Sequence, residues 1–322
     1  MSREGFWDAY ESRIRIQHEE QPHLEPFIFE MKMAYAWMMQ NQKVHLINSH
    51  GGLSALYEAT DSEEVCSFGF FLLPNDKEDQ SKFWQALRNK SQEIGAKKLT
   101  GPIQGTTYFP YRFISQSDGN PFFRGEYFSA IEDHQFLLDQ NPSDVKYFRS
   151  GYRNTFEGIM IVSKPYYEGA VAKGFEVKTH SEVNETLFRS VFEMVGQIFG
   201  MNWNFNKMSI DEVKTFYQSE FGVHQRMALQ TLHLNSEMIG FCRYIENDSD
   251  TVICKTLGVL PKYQNLGLGN AAVYEMHRSA KEAGYTRMIY ALIYDGNRVQ
   301  QNMPKDDSII FRKYAAYEYE LN

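Results

Sequence analysis

The hydrophobic pattern changes period once, sharply, between Thr251 and Ala283. Thr251-Val252-Ile253-Cys254, running on to Leu257-Gly258-Val259, is apolar and rich in β-branched residues, and reads as a buried strand that Pro261 ends. From Leu268 the apolar positions follow helical spacing instead: Leu268, Ala272, Met276 and Ala280, with Ala271 and Val273 beside them and Gly284 as the stop. Between the two lies Gln264-Asn265-Leu266-Gly267-Leu268-Gly269. A strand, a glycine-rich turn and a helix start form an anion site, because the first helical N–H groups lack backbone acceptors and the dipole favours negative charge. Glycine lets the chain take positive φ and lets a phosphate approach the backbone. A turn that merely shapes a tight strand-to-helix loop is the plainer reading of the same residues.

Two other nucleotide motifs fit less well. Gly267, Gly269 and Ala272 match G-x-G-x-x-A, but Lys262 to Leu266 intervene after Pro261, and Ile289 and Tyr290 stand where a ribose-binding acid is needed. No Gly-Lys-Ser/Thr follows, so the stretch is no phosphate-binding loop of the Walker type.

The pattern elsewhere predicts alternating elements. Residues 1 to about 42 read as helical, with Phe27, Met31, Ala34, Trp37 and Met38 at helix spacing. Strands are expected at Lys43–Asn48, Leu53–Glu58 and Val65–Leu73, the first two joined by a Gly51-Gly52 hairpin turn. A helix from about Glu78 to Glu93 and a short strand at Lys98–Pro102 follow. This is an internal echo: residues 65–102 and 252–294 both read strand, Leu-Pro, loop, helix, Gly, strand. The first copy carries Asn75-Asp76-Lys77-Glu78-Asp79-Gln80 where the second has its glycines, and carboxylates there would cap the helix and repel a diphosphate. Residues 101 to 141 form a loop-rich passage whose aromatics, Tyr108, Phe109, Tyr111, Phe113, Phe122, Phe123 and Tyr127, either pack the loop or floor a groove. Asp144–Gly151 reads as a short helix and Tyr152–Val162 as a strand. The second half then reads strand Phe175–Lys178, a helix capped by Asn184, a second helix begun by a Ser209/Glu212 capping box, a hairpin of 226–233 and Met238–Glu246 over Asn235-Ser236, the central strand, the long helix, strand Arg287–Tyr294 and strand Ile309–Glu320.

Composition narrows the classes. With 322 residues there is chain enough for two domains, and the boundary is placed between 163 and 164. A net charge of −8 argues against a duplex nucleic-acid partner, which needs a basic face. Cys66, Cys242 and Cys254 are scattered and look like core residues of a reducing compartment, with no metal spacing. The charged N-terminus does not read as a signal peptide, and no apolar run reaches spanning length, so a cytoplasmic protein without a membrane partner is expected. Oligomeric state is not readable.

With these residues in place, the stretch resembles the GNAT superfamily of acyl-CoA-dependent N-acyltransferases. Their Gln/Arg-x-x-Gly-x-Gly/Ala signature is filled by Gln264, Gly267 and Gly269, after Leu257-Gly258-Val259-Leu260-Pro261 where the family has its strand ending. The resemblance implies an α/β (α+β) fold of two GNAT-like domains, each a mixed, mostly antiparallel central sheet flanked by helices. The first, 1–163 with its N-terminal helical segment, is degenerate; the second, 164–322, is the acetyltransferase domain.

The resemblance further implies acetyl transfer from acetyl-CoA (coenzyme A) to an amine of a small molecule or peptide. Leu266 to Asn270, with Gln264 and Asn265, would hold the pyrophosphate; Leu257, Gly258 and Val259 would offer a free strand edge to the pantetheine; Asn297 matches the family's Asn near that arm. The proton-transfer residues are the thin part. Ile253 stands where many members have a Glu, and Pro304 interrupts the helix that usually brings a Tyr. Glu246, Asp248 or a water chain could serve as base, and Tyr314 or Tyr317 could protonate the sulfur. A non-catalytic acyl-CoA-binding or regulatory protein, and an aminoacyl or peptidyl transferase of tandem GNAT-like build, are the alternatives.

Overall fold

The structure is a computed structural model describing residues 2–58, 64–221, 227–296 and 308–321. The chain forms two compact units, 1–148 with 312–322, and 149–311. The expected boundary lay later, at 163–164, and left the last strand with the second half.

In the first unit, helices α1 (Arg3–Gln17) and α2 (Leu24–Asn41) precede strands β1 (Val44–Ser49), β2 (Gly52–Glu58) and β3 (Val65–Leu72). The hairpin and meander are antiparallel, and β3 is buried almost throughout, as its unbroken apolar run predicts. Helix α3 (Lys77–Glu93) then returns the chain to β4 (Lys98–Gly101), which pairs parallel to β3 from Val65–Lys98 to Ser67–Thr100. Strand β5 (Phe113–Ser117), helix α4 (Ile131–Asp139) and the start of β6 (Asp144–Arg153) follow.

In the second unit come α5 (Glu157–Val171), β7 (Phe175–His180), α6 (Glu185–Phe199), α7 (Ile210–Phe221), β8 (Met227–Leu234), β9 (Glu237–Glu246), β10 (Thr251–Val259), α8 (Leu268–Glu282) and β11 (Arg287–Tyr294). Here the sheet order is β11-β10-β9-β8-β7, with β6 beside β11. β7 through β10 are antiparallel neighbours, and β10 and β11 run parallel. The last strand, β12 (Ile309–Glu320), gives its Arg312–Glu320 part to the first unit, against β5 and β4.

The internal echo is therefore a real repeat of topology. Each unit carries one strand-helix-strand crossover that closes a parallel pair beside antiparallel neighbours. Local signals explain the elements. Asn184 Oδ1 accepts from Leu187 N (2.9 Å), and Ser209 and Glu212 exchange both capping-box bonds, 2.6 and 3.3 Å. Asn235 and Ser236, at φ 50° and 71°, make the turn of the β8–β9 hairpin.

Two expectations reverse. Asp144–Arg153 is a strand, although its inward residues include Ser150 and Arg153 and so show no apolar alternation. Glu157–Val171 is a helix, not the continuation of a strand. Its buried positions, Phe156, Ile159, Ser163 and Ala170, keep helical spacing, but Ile161 (73% exposed) and Val162 (49%) disguise it as a buried apolar run. The aromatics of 101–130 mostly pack inward: Phe109, Tyr111, Phe113, Phe122, Phe123 and Tyr127 are all buried.

Candidate active site

Strand β10 is held on both faces. On one, α8 and α5 cover it through Phe156, Cys242, Val252, Met276 and Met288, and further along through Ala170, Leu268, Ala271 and Ala272. On the other, the strongly amphipathic α6 lays Val191, Met194, Val195, Ile198 and Phe199 against Phe241 and Leu260. Gly258 is where α6 comes closest: a Cβ there would stand 3.0 Å from Ile198 Cδ1 and 3.1 Å from Phe199 Cζ.

Between these layers the sheet opens. The parallel ladder of β10 and β11 runs from Thr251–Arg287 to Cys254–Tyr290 and stops. β10 continues through Val259, and among the described residues it is paired there with β9 alone. Both strands bend at this point. β10 has a bulge between Cys254 and Thr256. Two residues past Tyr290, Leu292 takes φ 56°, a left-handed backbone that a leucine rarely adopts, with its N–H donated to Ser150 Oγ (2.9 Å). Thr256 to Val259 thus present an edge on the β11 side that is unpaired among the described residues, with Leu257, Gly258 and Val259 at its end.

The strand leads straight into the anion turn. Pro261–Tyr263 make one 3-10 turn, Gln264 Nε2 donates back to Val259 O (3.0 Å), Asn265 takes φ 65° and Gly267 φ 76°. Lys262 and Tyr263 both bind Glu237, at 2.7 and 2.5 Å, and pin the turn to β9. Gly267 is the N-cap of α8 and brings no side chain to its amides, and the first intrahelical bond is Ala271 N to Gly267 O (3.1 Å). The N–H groups of Leu268, Gly269 and Asn270 therefore belong to the orphan set of a helix start. Nothing lies within 4 Å of where a Gly269 Cβ would be. An uncapped helix start thus stands next to a strand edge that is unpaired among the described residues, and helix starts of this kind can bind an anion.

The first unit has the same elements closed on themselves. The parallel pairing ends at Ser67–Thr100, but the chain then folds back on β3: Ile103 N donates to Phe68 O (2.8 Å), and Gln104 Oε1 accepts from Phe70 N (2.9 Å). The start of α3 is capped by Asp76, whose carboxylate accepts from Glu78 N (2.8 Å) and Asp79 N (3.2 Å). Strand edge and helix start are both occupied by this chain's own groups.

Of the expected proton-transfer residues, Glu246 lies in the second unit away from the edge, and the two tyrosines belong to the first unit. Glu246 pairs with Val252, five residues before Leu257 and about 16 Å along an extended strand. Its carboxylate accepts from Tyr285 Oη (2.7 Å), and direct proton transfer at Leu257 is beyond its reach. Tyr314 and Tyr317 are buried in the first unit, where Tyr314 Oη donates to Glu126 Oε1 (2.6 Å) and Tyr317 Oη bonds His134 Nδ1. Asn297 lies outside the described residues.

Sequence reasoning missed a buried polar chain at the foot of the opening. His277 Nδ1 is 2.6 Å from Val273 O and Nε2 is 2.5 Å from Tyr290 Oη. The carbonyl can only accept, so Nδ1 carries the proton and Tyr290 donates to Nε2. Burial lowers the imidazole pKa to about 4. A His on the apolar face of a helix was the available signal. Among the described residues no cluster of His, Cys, Asp or Glu is fit to hold a metal ion, and no helix is long and apolar enough to cross a membrane.

The profile of the acetyltransferase (GNAT) family matches residues 190–305, which include α7, β8–β10, the glycine turn, α8 and β11. No curated protein matches the chain by sequence. Among solved structures, a tandem GNAT protein from the clavulanic acid biosynthesis pathway, solved without AcCoA, superposes with a TM-score of 0.60 at 10% identity, over 100% of this chain and 97% of its own. A GCN5-related glucosamine N-acetyltransferase region of a fungal multi-domain GH3 β-N-acetylglucosaminidase gives 0.56 at 11% identity, over 99% of this chain and 37% of that one. A GCN5-related N-acetyltransferase from Sphaerobacter thermophilus gives 0.47 at 9% identity, over 84% of this chain and 77% of its own. Residues 190–305 are thus a domain of the GNAT superfamily, set in a chain that has the tandem GNAT fold.

Proposed function

We propose that the second unit binds acetyl-CoA and transfers its acetyl group to a primary amine of a small molecule or peptide. The observation that carries this is the pairing of an uncapped helix start at Gly267 with a β10 edge at Leu257–Val259 that is unpaired on the β11 side among the described residues, both self-satisfied in the first unit. Bound acetyl-CoA would supply an acyl group already activated as a thioester. The chain's own residues do the rest. The amides of Leu268, Gly269 and Asn270 neutralise the diphosphate without a cationic side chain. The edge of Leu257, Gly258 and Val259 hydrogen-bonds the extended arm as a neighbouring strand would, and an N–H at that edge polarises the acyl carbonyl. Ile198 and Phe199, packed on Gly258, exclude water from that edge. The amine, its proton given up to solvent, would form the amide bond as the carbon–sulfur bond breaks, and the released thiolate would take a proton from solvent.

The test is calorimetric. Gly267→Glu places a carboxylate and a strained backbone at φ 76°, where a side chain would also meet Tyr166 Cδ1 at 3.3 Å. Coenzyme A affinity is expected to fall by about 100-fold, roughly the cost of setting a like charge against a bound anion. Gly269→Ala, whose methyl meets open space, folds normally and keeps binding. Unchanged affinity in a folded Gly267→Glu protein removes the site assignment. Tight binding without thiol release across a panel of amines would instead favour a non-catalytic acyl-CoA-binding protein, a reading supported by the placement of Glu246.

A further inference from the structure

The first unit holds a cation in a setting that its own fold does not explain. Arg112, one residue before β5, has φ 83°, left-handed for a residue with a long side chain. Its guanidinium carbon is 3.7 Å from the centroid of the Tyr111 ring and 4.1 Å from that of Phe148. The two rings stand at 84° to each other and so wall the group on two sides. Nη2 donates to Tyr111 Oη (2.6 Å), while Nε is buried with no acceptor. Among the described residues no carboxylate is paired with it; the ionisable groups it feels are the phenols of Tyr111 and Tyr314, and Tyr314 already donates to Glu126. Burial presses the guanidinium pKa downward, yet a guanidinium stays charged in proteins.

Arg312, in the same unit, shows the contrast. It is fully buried where Arg112 is only half-buried, and Nη1 reaches Glu126 Oε2 at 2.6 Å, Nε reaches Ser117 Oγ at 3.3 Å, and Nη2 donates to Asn120 O. Stacking on aromatic faces stabilises an arginine, but it neither neutralises the charge nor satisfies the in-plane donors. A strained backbone, two aromatic walls and a half-buried guanidinium with no carboxylate partner among the described residues are what a preorganised anion receptor costs when empty.

We propose that Arg112 receives the carboxylate of a small-molecule ligand, bound at its guanidinium, whose Nε has no acceptor among the described residues. One unpaired positive charge, with no second cation paired into the group, matches a monoanion, and the forked donor geometry matches a planar carboxylate. The site lies in the first unit and stands independently of the coenzyme A reading.

The experiment uses the full chain without coenzyme A. Melting temperature is followed against sodium propionate, sodium benzoate and inorganic phosphate at constant ionic strength, for the wild type, Arg112→Gln and Arg112→Lys. A saturable rise with a carboxylate is expected for the wild type, weakened at least tenfold in apparent affinity by Arg112→Gln. Arg112→Lys keeps the charge but loses the fork, and weakens binding too; it decides the matter should the glutamine variant fail to fold. No saturable response in the wild type, an equal response in a folded variant, or a response to phosphate alone overturns the proposal.

Discussion

Cys254 and Tyr290 face each other on the last rung shared by β10 and β11, and from that rung onward the two strands part. The same tyrosine anchors the α8 face, because its hydroxyl donates to His277 Nε2 at 2.5 Å. Tyr290→Phe leaves a fully buried imidazole nitrogen without its donor. A loss of about 1–3 kcal/mol is expected, the desolvation cost of an unsatisfied buried group, read as a shift of the urea midpoint at unchanged slope.

His277 also sets a pH dependence. Its folded pKa, about 4, lies below the ordinary histidine value of about 6.5, so the folded state binds fewer protons than the unfolded chain in that interval. Its contribution is complete above about pH 6.5 and is lost as the pH falls towards 4. His277→Gln should therefore flatten the decline of stability between pH 6.5 and 4; an equally steep decline would assign that slope to other groups, such as His18, which burial also lowers to about 4.

Gly258 tests the packing over the open edge. Gly258→Ala asks Ile198 and Phe199 to give by a few tenths of an ångström, at an expected cost of about 1–3 kcal/mol by overpacking. If α6 yields instead of the core, stability changes little while coenzyme A binding falls. Paired denaturation and calorimetry separate the two terms.

Glu126 and Arg312 form a buried ion pair at 2.6 Å, each about 1% exposed or less. Burial raises the Glu126 pKa against the pull of Arg312 and of the Tyr314 hydroxyl. Glu126→Ala leaves a buried guanidinium uncompensated and should cost about 3–5 kcal/mol, whereas replacing both partners with apolar residues of similar volume should cost far less. Thermal unfolding of the single and double variants checks the difference.

How much of this was legible varies by element. The strand Thr251–Val259, the glycine turn and α8 declare themselves because their periods, caps and breakers are local, and so does the strand-helix-strand echo of 65–102 and 252–294. The capped start of α3 was readable too, because Asp76 lies next to the amides it binds. Asp144–Arg153 and Glu157–Val171 were misread because the first buries polar residues and the second exposes apolar ones.

The amino-acid sequence by itself determined which segment can bind an anion through its backbone, since glycine conformation and helix-start chemistry depend on immediate neighbours alone. Only the tertiary structure decided where the parallel ladder ends, that Glu246 stands far along the strand from the open edge, that Tyr314 and Tyr317 serve the first unit, and that Arg112 has no carboxylate partner among the described residues. Each of these depends on register and on contacts between residues distant in the chain. A one-residue bulge or a strand lent to the other unit changes them without leaving a trace in local periodicity.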